Sequence, residues 1–247
     1  MKNVAVLLPV LNETENVIEL IEKLTTSFRD FNARIFFVDD GSTDGTIEKL
    51  ENAQKRHAAI LVFNRQKEKQ GCRRGEALVY ALRKSVIDFN PDYFVELDGD
   101  LSHNPEEIQK GINLIDAGAD VALGSKYLSN SKIEGRSFVR NTISYANSLL
   151  FRLFLGFEIS DYSNGFRVYN QKAAKTILES RIKYGSPIYL AEAIVIWKLH
   201  RMKFAEFPIT YNGRKKGSSK VILSDVVKGL AGALAISTSY YRRRLGI

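Results

Sequence analysis

Hydrophobic positions in the first half of the chain alternate between two patterns. Short apolar runs at residues 4–8, 34–38, 60–63, 93–97 and 121–124 have the length and composition of buried strands. Between them, apolar residues recur at helical spacing. Val17, Ile18, Ile21, Leu24 and Phe28 form one such set, behind Asn12 and Glu15, which have the spacing of an N-cap and its capping-box partner. Asp44-Gly45-Thr46 starts a second helix, and a third covers about residues 76–87. Asn104-Pro105-Glu106-Glu107 sets a cap, an N1 proline and two acids at the start of a fourth. Strands alternating with helices predict an α/β fold with a mostly parallel central sheet and helices on both faces. Past residue 124 the pattern loosens into a polar stretch at 126–139, an aliphatic-aromatic helix at 141–157 and a loop-to-strand segment at 161–169. No repeat or low-complexity linker divides the chain. The expected organisation is a single domain at 1–220 followed by an amphipathic helix and basic tail at 221–247.

With 247 residues and 45% hydrophobic content, the chain can bury one large core. Its 36 Lys and Arg against 28 Asp and Glu leave a net charge of +8, which favours anionic partners: nucleotides, lipid phosphates, a membrane surface or nucleic acid. No aromatic-interleaved basic motif of the single-strand or RNA-binding kind is present, so nucleic acid is not expected. Cys72 is the only cysteine, so no intrachain disulfide forms and a reducing compartment is expected. No basic n-region with a cleavage site precedes the first apolar run, and no secretion signal is expected. The apolar tract at 226–241 contains Lys228, Ser237, Thr238 and Ser239 and falls short of the roughly 20 residues that span a bilayer. Leu223, Val226, Val227, Leu230, Leu234 and Ile236, followed by Arg242-Arg243-Arg244, fit either a helix lying on an anionic membrane surface or a last helix packed on the core.

In an open parallel sheet, ligands bind outside the carboxyl ends of the strands. Those ends carry Pro9-Val10-Leu11-Asn12-Glu13, Asp39-Asp40-Gly41-Ser42-Thr43-Asp44-Gly45 and Asp98-Gly99-Asp100. Each alone also reads as a polar loop. Together they lie on one sheet edge. Gly99 lets the backbone turn so that Asp98 and Asp100 both approach one hard cation, Mg²⁺ or Mn²⁺, able to neutralise a diphosphate leaving group; two solvated acids in a turn are the alternative.

The ordered set of motifs resembles family-two glycosyltransferases of the GT-A (Rossmann-like) fold, and within them the polyprenyl (dolichyl) phosphate mannosyl- or glucosyltransferase branch. Besides the three strand-end motifs, the resemblance rests on Leu101-Ser102-His103, Gly124-Ser125-Lys126-Tyr127, Ser160-Asp161-Tyr162-Ser163-Asn164-Gly165-Phe166-Arg167 and Arg214-Lys215-Lys216-Gly217-Ser218-Ser219-Lys220, spread over about residues 4–220. It implies that Pro9, Leu11, Glu13, Asp39, Asp40 and Gly41 hold the nucleoside of a nucleoside diphosphate sugar, Asp40 near the base and Glu13 near the ribose. It further implies that Asp98, Gly99 and Asp100 meet the metal and diphosphate. A basic loop carrying Arg214 and Lys220 would close on the donor phosphates. Lys126, Arg140 and Ser144 match the positions that grip a lipid phosphate; Arg140 and Ser144 are i and i+4 on a predicted helix, whose Leu149, Leu150, Phe151, Leu153, Phe154 and Leu155 line either a greasy acceptor entrance or the core.

The implied activity is inverting transfer of a hexose to polyprenyl phosphate at the cytosolic membrane face, by a peripheral protein or one held by a separate membrane-anchor subunit. A hydroxyl acceptor, on a glycan or a soluble molecule, would instead need a base, with Asp161 or Glu192 as candidates. A catalytically silent anionic-ligand-binding protein of the same fold is the alternative from another class. Four positions depart from the family pattern: Leu11 in place of Tyr, Ser102 in place of Gln, Lys126 in place of Arg, and Asn164 in place of a small residue. The segment at 67–74 is unusually basic and reads as either a phosphate contact or a solvated loop; His103 reads as a loop residue, since no second histidine stands at ligand spacing.

Overall fold

In a computed structural model of the chain, residues 1–65, 73–156, 158–186, 188–213, 232, 234–238 and 240–242 are described. The apolar runs form the strands β1 (Asn3–Val10), β2 (Asn32–Asp39), β3 (Ile60–Asn64), β4 (Tyr93–Glu96) and β5 (Val121–Ser125). Side chains along β1 divide between two cores: Val4, Val6, Leu8 and Val10 point to one, Ala5 and Leu7 to the other. A strand buried on both faces needs a nearly unbroken apolar sequence, which is why its period is hard to see. Helices α1 (Val17–Ser27), α2 (Thr46–Arg56) and α4 (Ile108–Asp116) contribute to the first core, and α3 (Arg74–Asp88) to the second, so both faces of the sheet are covered as expected.

The second half adds β6 (Lys132–Glu134), α5 (Phe138–Leu155), β7 (Arg167–Asn170), α6 (Gln171–Glu179), α7 (Tyr189–Leu199), β8 (Phe204–Pro208) and β9 (Thr210–Asn212). The main sheet has the order β3-β2-β1-β4-β7-β5-β8, and a two-stranded sheet pairs β6 with β9. Only β7 runs antiparallel to its neighbours in the main sheet. That single reversal positions the site. The chain leaves β1, β2, β4 and β5 at the same edge at which it enters β7, so residues 9–13, 39–45, 98–103, 125–127 and 160–166 converge there. Strand order also reverses beside β1, with β2 on one side and β4 on the other, which is where open α/β sheets place their crevice.

Two local expectations are corrected. Helix α1 begins at Val17 behind Asn16, which makes no side-chain cap, rather than behind an Asn12–Glu15 capping box. Asn12 takes a left-handed backbone conformation, φ 54°, and its side chain accepts a hydrogen bond from the Thr43 N–H at 2.9 Å. A long-range bond between loops has displaced the local cap. The helix expected at 141–157 starts three residues earlier, where the Ser137 hydroxyl caps the Arg140 N–H. Asn104, by contrast, caps the Glu106 N–H ahead of Pro105 as expected.

Of the C-terminal segment, Ile236 and Tyr240 join the core that contains α7, and the Tyr241 hydroxyl donates to the Phe154 carbonyl at 2.9 Å. The described residues of this helix therefore pack on the domain, while Leu234 and Tyr241 stay exposed. Leu223, Val226, Val227, Leu230, Arg243 and Arg244 lie outside the described residues. Among the described residues no helix is long and apolar enough to cross a membrane.

Candidate functional site

The loops after β1 and β2 are stitched together. The Asn12 N–H donates to Ser42 Oγ at 2.8 Å, the Glu13 N–H to Thr46 Oγ1 at 2.9 Å, and the Thr14 N–H to Asp44 Oδ2 at 3.1 Å. Asp39 is turned inward: its Oδ2 accepts the Gly41 and Ser42 N–H groups and its Oδ1 the Ser42 hydroxyl. It shapes the loop that presents its neighbour. Asp40, also buried, pairs with Arg65 at 3.2 Å and accepts the Arg73 N–H at 2.8 Å. Burial pushes the Asp40 carboxyl up, against the Arg73 N–H and the Arg65 guanidinium. Glu76 joins both arginines, pairing with Arg65 at 3.0 Å and with Arg73. The structure thus brings Pro9, Leu11, Glu13, Asp39, Asp40 and Gly41 to one edge. Glu13 is buried and accepts from the Asn16 amide at 2.7 Å.

Beyond β4, Gly99 passes so close to the first loop that a Cβ there would lie 2.8 Å from Val10 Cγ1. A side chain at 99 would push Asp98 and Asp100 away from that loop. Asp100 Oδ1 accepts the Ser102 N–H at 3.1 Å. Asp98 Oδ1 is buried and accepts no hydrogen bond; the Arg74 guanidinium forms an ion pair with it. A buried carboxylate oxygen that accepts no hydrogen bond and is held by an ion pair, beside a second carboxylate, is a hard-oxygen donor pair that fits Mg²⁺ or Mn²⁺. Among the described residues no group of three His, Cys, Asp or Glu side chains converges, so the remaining ligands of such an ion would be water and donor phosphate.

Both ring nitrogens of His103 are engaged by the protein. Its Nδ1 accepts the Asp98 N–H at 3.2 Å, which leaves Nε2 to carry the proton and donate to Asn164 Oδ1 at 2.7 Å. Burial pulls its pKa down to about 4, so the ring is neutral at physiological pH. Asn164 in turn donates to the Gly124 carbonyl at 2.6 Å, tying the acidic loop to β5. This is the role of the asparagine that departs from the family pattern.

Lys126 and Asp161 form a buried ion pair at 2.6 Å, with 2% and 0% of their side chains exposed. Asp161 Oδ1 accepts the Ser163 N–H and hydroxyl at 2.9 and 2.8 Å, and Oδ2 accepts the Lys126 N–H and ammonium. All four of its acceptor positions are filled. Burial opposes the charge on Asp161, but the Lys126 ammonium and Ser163 outweigh it and hold the carboxyl below the usual range. With these contacts in place Asp161 has no open acceptor position with which to take up a proton. Glu192 fails for the same kind of reason: its carboxylate caps the Lys183 and Tyr184 N–H groups at 2.9 and 3.0 Å. Lys126 reaches the cluster as one half of this pair, and its ammonium lies under Tyr211, 5.3 Å from the ring centroid.

Ser144 meets this cluster through Ser163, the two hydroxyls 2.7 Å apart, and Arg140 lies one turn earlier on α5. Arg136, which the sequence reading passed over, stacks on the other contact of Tyr211, 5.2 Å from its centroid. Its signal was its position, one residue before the N-cap of α5, where cations and helix N–H groups together favour an anion. Arg74 was visible only as part of a basic run. Arg214 and Lys220 lie outside the described residues.

Residues 5–178 match Glycosyl transferase family 2. The chain is 31% identical over 220 residues to a dolichol-phosphate mannosyltransferase of Pyrococcus furiosus, a match covering 88% of this chain and 59% of that protein. It is 27% identical over 250 residues to an undecaprenyl-phosphate mannosyltransferase of Micrococcus luteus, covering 99% of each. Among solved structures, glucosyl-3-phosphoglycerate synthase from Mycobacterium tuberculosis in complex with UDP superposes with a TM-score of 0.69 at 17% identity, over 96% of this chain and 80% of that one. Another structure of that protein holds Mn²⁺ with UDP. The fold is GT-A, and the chain belongs to glycosyl transferase family 2 and is a glycosyltransferase.

Proposed function

We propose that this glycosyltransferase moves a hexose, mannose or glucose, from a nucleoside diphosphate sugar to a polyprenyl phosphate, with inversion, at an anionic membrane surface. One observation carries the acceptor: the two faces of α5. Toward the domain it presents Arg140 and the buried Ser144, beside Ser163 and Arg136; outward it leaves Phe138, Tyr145, Leu149 and Leu153 exposed, Phe138 by 84% and Leu153 by 70%. A molecule with a phosphate head and a hydrocarbon tail matches both faces at once. Similarity to a dolichol-phosphate and an undecaprenyl-phosphate mannosyltransferase supports the same acceptor class.

In this reading Pro9, Leu11, Glu13, Asp40 and Gly41 seat the nucleoside, Asp39 holds their loop, and Arg214 and Lys220 meet the donor phosphates. Asp98 and Asp100 would hold Mg²⁺ or Mn²⁺, whose charge supplies stabilisation of the departing diphosphate. The acceptor phosphate has a second pKa near ~6, so it is largely dianionic at neutral pH and attacks without a protein base. That agrees with the absence of a usable base at Asp161 or Glu192, both fully engaged, and disfavours a hydroxyl acceptor.

Arg140→Ala removes a charged contact worth about 1.5–3 kcal/mol, so transfer to polyprenyl phosphate is expected to fall about 10- to 100-fold. Donor hydrolysis, followed with the same labelled sugar, should change little; equal loss of both rules out the acceptor role. Arg152 is exposed on α5 between Leu149 and Leu153, and the exposed Arg242 follows Tyr241, whose hydroxyl bonds the Phe154 carbonyl of α5; both cations suit anionic lipid. Replacing Leu149 and Leu153 together by glutamate forfeits about 1.5–3 kcal/mol of apolar burial at each, enough to abolish co-sedimentation with phosphatidylglycerol vesicles. Undiminished co-sedimentation of that double variant contradicts docking through α5.

A further inference from the structure

We infer that Arg74 is a displaceable counter-ion: its guanidinium occupies the side of Asp98 that a divalent cation needs, and the donor diphosphate draws it off, so that metal and nucleotide bind as a cooperative pair. The inference rests on the proposed donor site, and it adds a positioning residue that the family motifs quoted above do not include.

The placement is built rather than incidental. Arg74 is the first residue of α3, and the next residue fixes that helix end, its N–H donating to the Gly185 carbonyl at 2.8 Å. The Arg74 side chain is 15% exposed and reaches Asp98 through NH1. Gly165 makes the passage possible: a Cβ at 165 would fall on the guanidinium and come within 3.1 Å of Asp98 Oδ1. The glycine of the Ser-Asn-Gly-Phe-Arg segment therefore leaves the room that Arg74 fills. Around it lie the carboxylates of Asp98 and, deeper, Glu96, whose carboxyl burial pushes up against the opposing charges of Arg167 and Arg74.

Two cations on one carboxylate repel, and Asp98 Oδ1 has no hydrogen bond to hold it in place if the guanidinium leaves. Guanidinium binds phosphate as readily as carboxylate, through the same planar fork. A diphosphate arriving at the Asp98–Asp100 edge offers Arg74 an equivalent partner and at the same time supplies ligands to the ion. Each then removes the obstacle to the other. Such reciprocal coupling between two ligands has a typical size of about 5- to 150-fold.

The test is a Mn²⁺ titration, read by electron paramagnetic resonance of the free ion, without nucleotide and with saturating GDP or UDP. For the wild-type chain we expect nucleoside diphosphate to tighten Mn²⁺ binding about 100-fold, within the usual range of coupling. Arg74→Ala is expected to bind Mn²⁺ alone about tenfold more tightly than wild type, while its nucleotide-dependent gain shrinks below about tenfold. Arg74→Lys, which keeps the charge, should bind the bare ion as wild type does. If Arg74→Ala melts early, Arg74→Met keeps the apolar stem against Gly165 and carries the same expectation. Bare-ion affinity unchanged or weakened in the uncharged variant overturns the inference. A wild-type chain whose Mn²⁺ affinity is unmoved by either nucleotide overturns the donor reading instead.

Discussion

Asp100→Ala is expected to lower turnover about 1,000-fold while leaving the domain folded. Asp100 sits at the loop edge, partly exposed, and its Oδ1 accepts the Ser102 N–H at 3.1 Å. Loss of a bond of that kind costs only about 1 kcal/mol of stability. The catalytic loss is larger because half of the protein's hard-oxygen pair disappears. A bound divalent ion contributes several kcal/mol to stabilising a leaving diphosphate, and about 4 kcal/mol corresponds to about three powers of ten. The check is kcat at saturating donor across a Mn²⁺ titration, beside a thermal melt of the same sample. Turnover within about tenfold of wild type would remove Asp100 from the metal site.

The second large effect is on stability. Asp161→Asn leaves the Lys126 ammonium buried without its counter-charge, and breaking a buried pair from one side costs about 3–5 kcal/mol. For a chain of this size that lowers Tm by about 10 °C. Removing the second charge as well, in Lys126→Met with Asp161→Asn, should recover much of the loss, because the unpaired ion and not the missing bond is the main cost. The pH dependence follows from the same pair. The folded-state carboxyl of Asp161 is depressed, so its contribution is present above the ordinary aspartate value of about 4 and is lost as pH falls through the lower folded value. The asparagine variant should lack that acid-side loss, so the gap between the two melting curves narrows below about pH 4. A single variant that melts within about 2 °C of wild type at neutral pH would mean the pair is not what holds this cluster.

The sheet edge was legible because its strands are short apolar runs that end in polar residues, and parallel pairing puts those ends together whatever the loops do. Asp98, Asp100, Asp40 and Glu13 could therefore be placed from sequence. Their individual duties could not. Asp39 and Asp40 are adjacent, yet one closes its own loop and the other pairs with Arg65, a distinction set by which way β2 turns its last residues. Asn12 read as a helix cap because local spacing contains no information about Thr43, thirty-one residues away. Helix α7 was not found at all: every residue from Tyr189 to Trp197 is buried, so no polar stripe marks its period. Asp161 looked available as a base, since nothing in a sequence states that a lysine thirty-five residues earlier will fill its oxygens. Arg74 and Arg136 were hidden for the opposite reason, as ordinary members of a basic chain whose importance comes only from the groups they touch.

The proposed activity is defined by its acceptor. Purified wild-type chain, Mn²⁺ and labelled GDP-mannose or UDP-glucose should be incubated in parallel with a short-chain polyprenyl phosphate, the corresponding polyprenol and a soluble sugar, and the label followed into the organic phase. The expected result is a lipid-linked, mild-acid-labile product with polyprenyl phosphate and at least one donor, and none with polyprenol. Labelled product with polyprenol or the soluble sugar, but none with the phosphate, would contradict it.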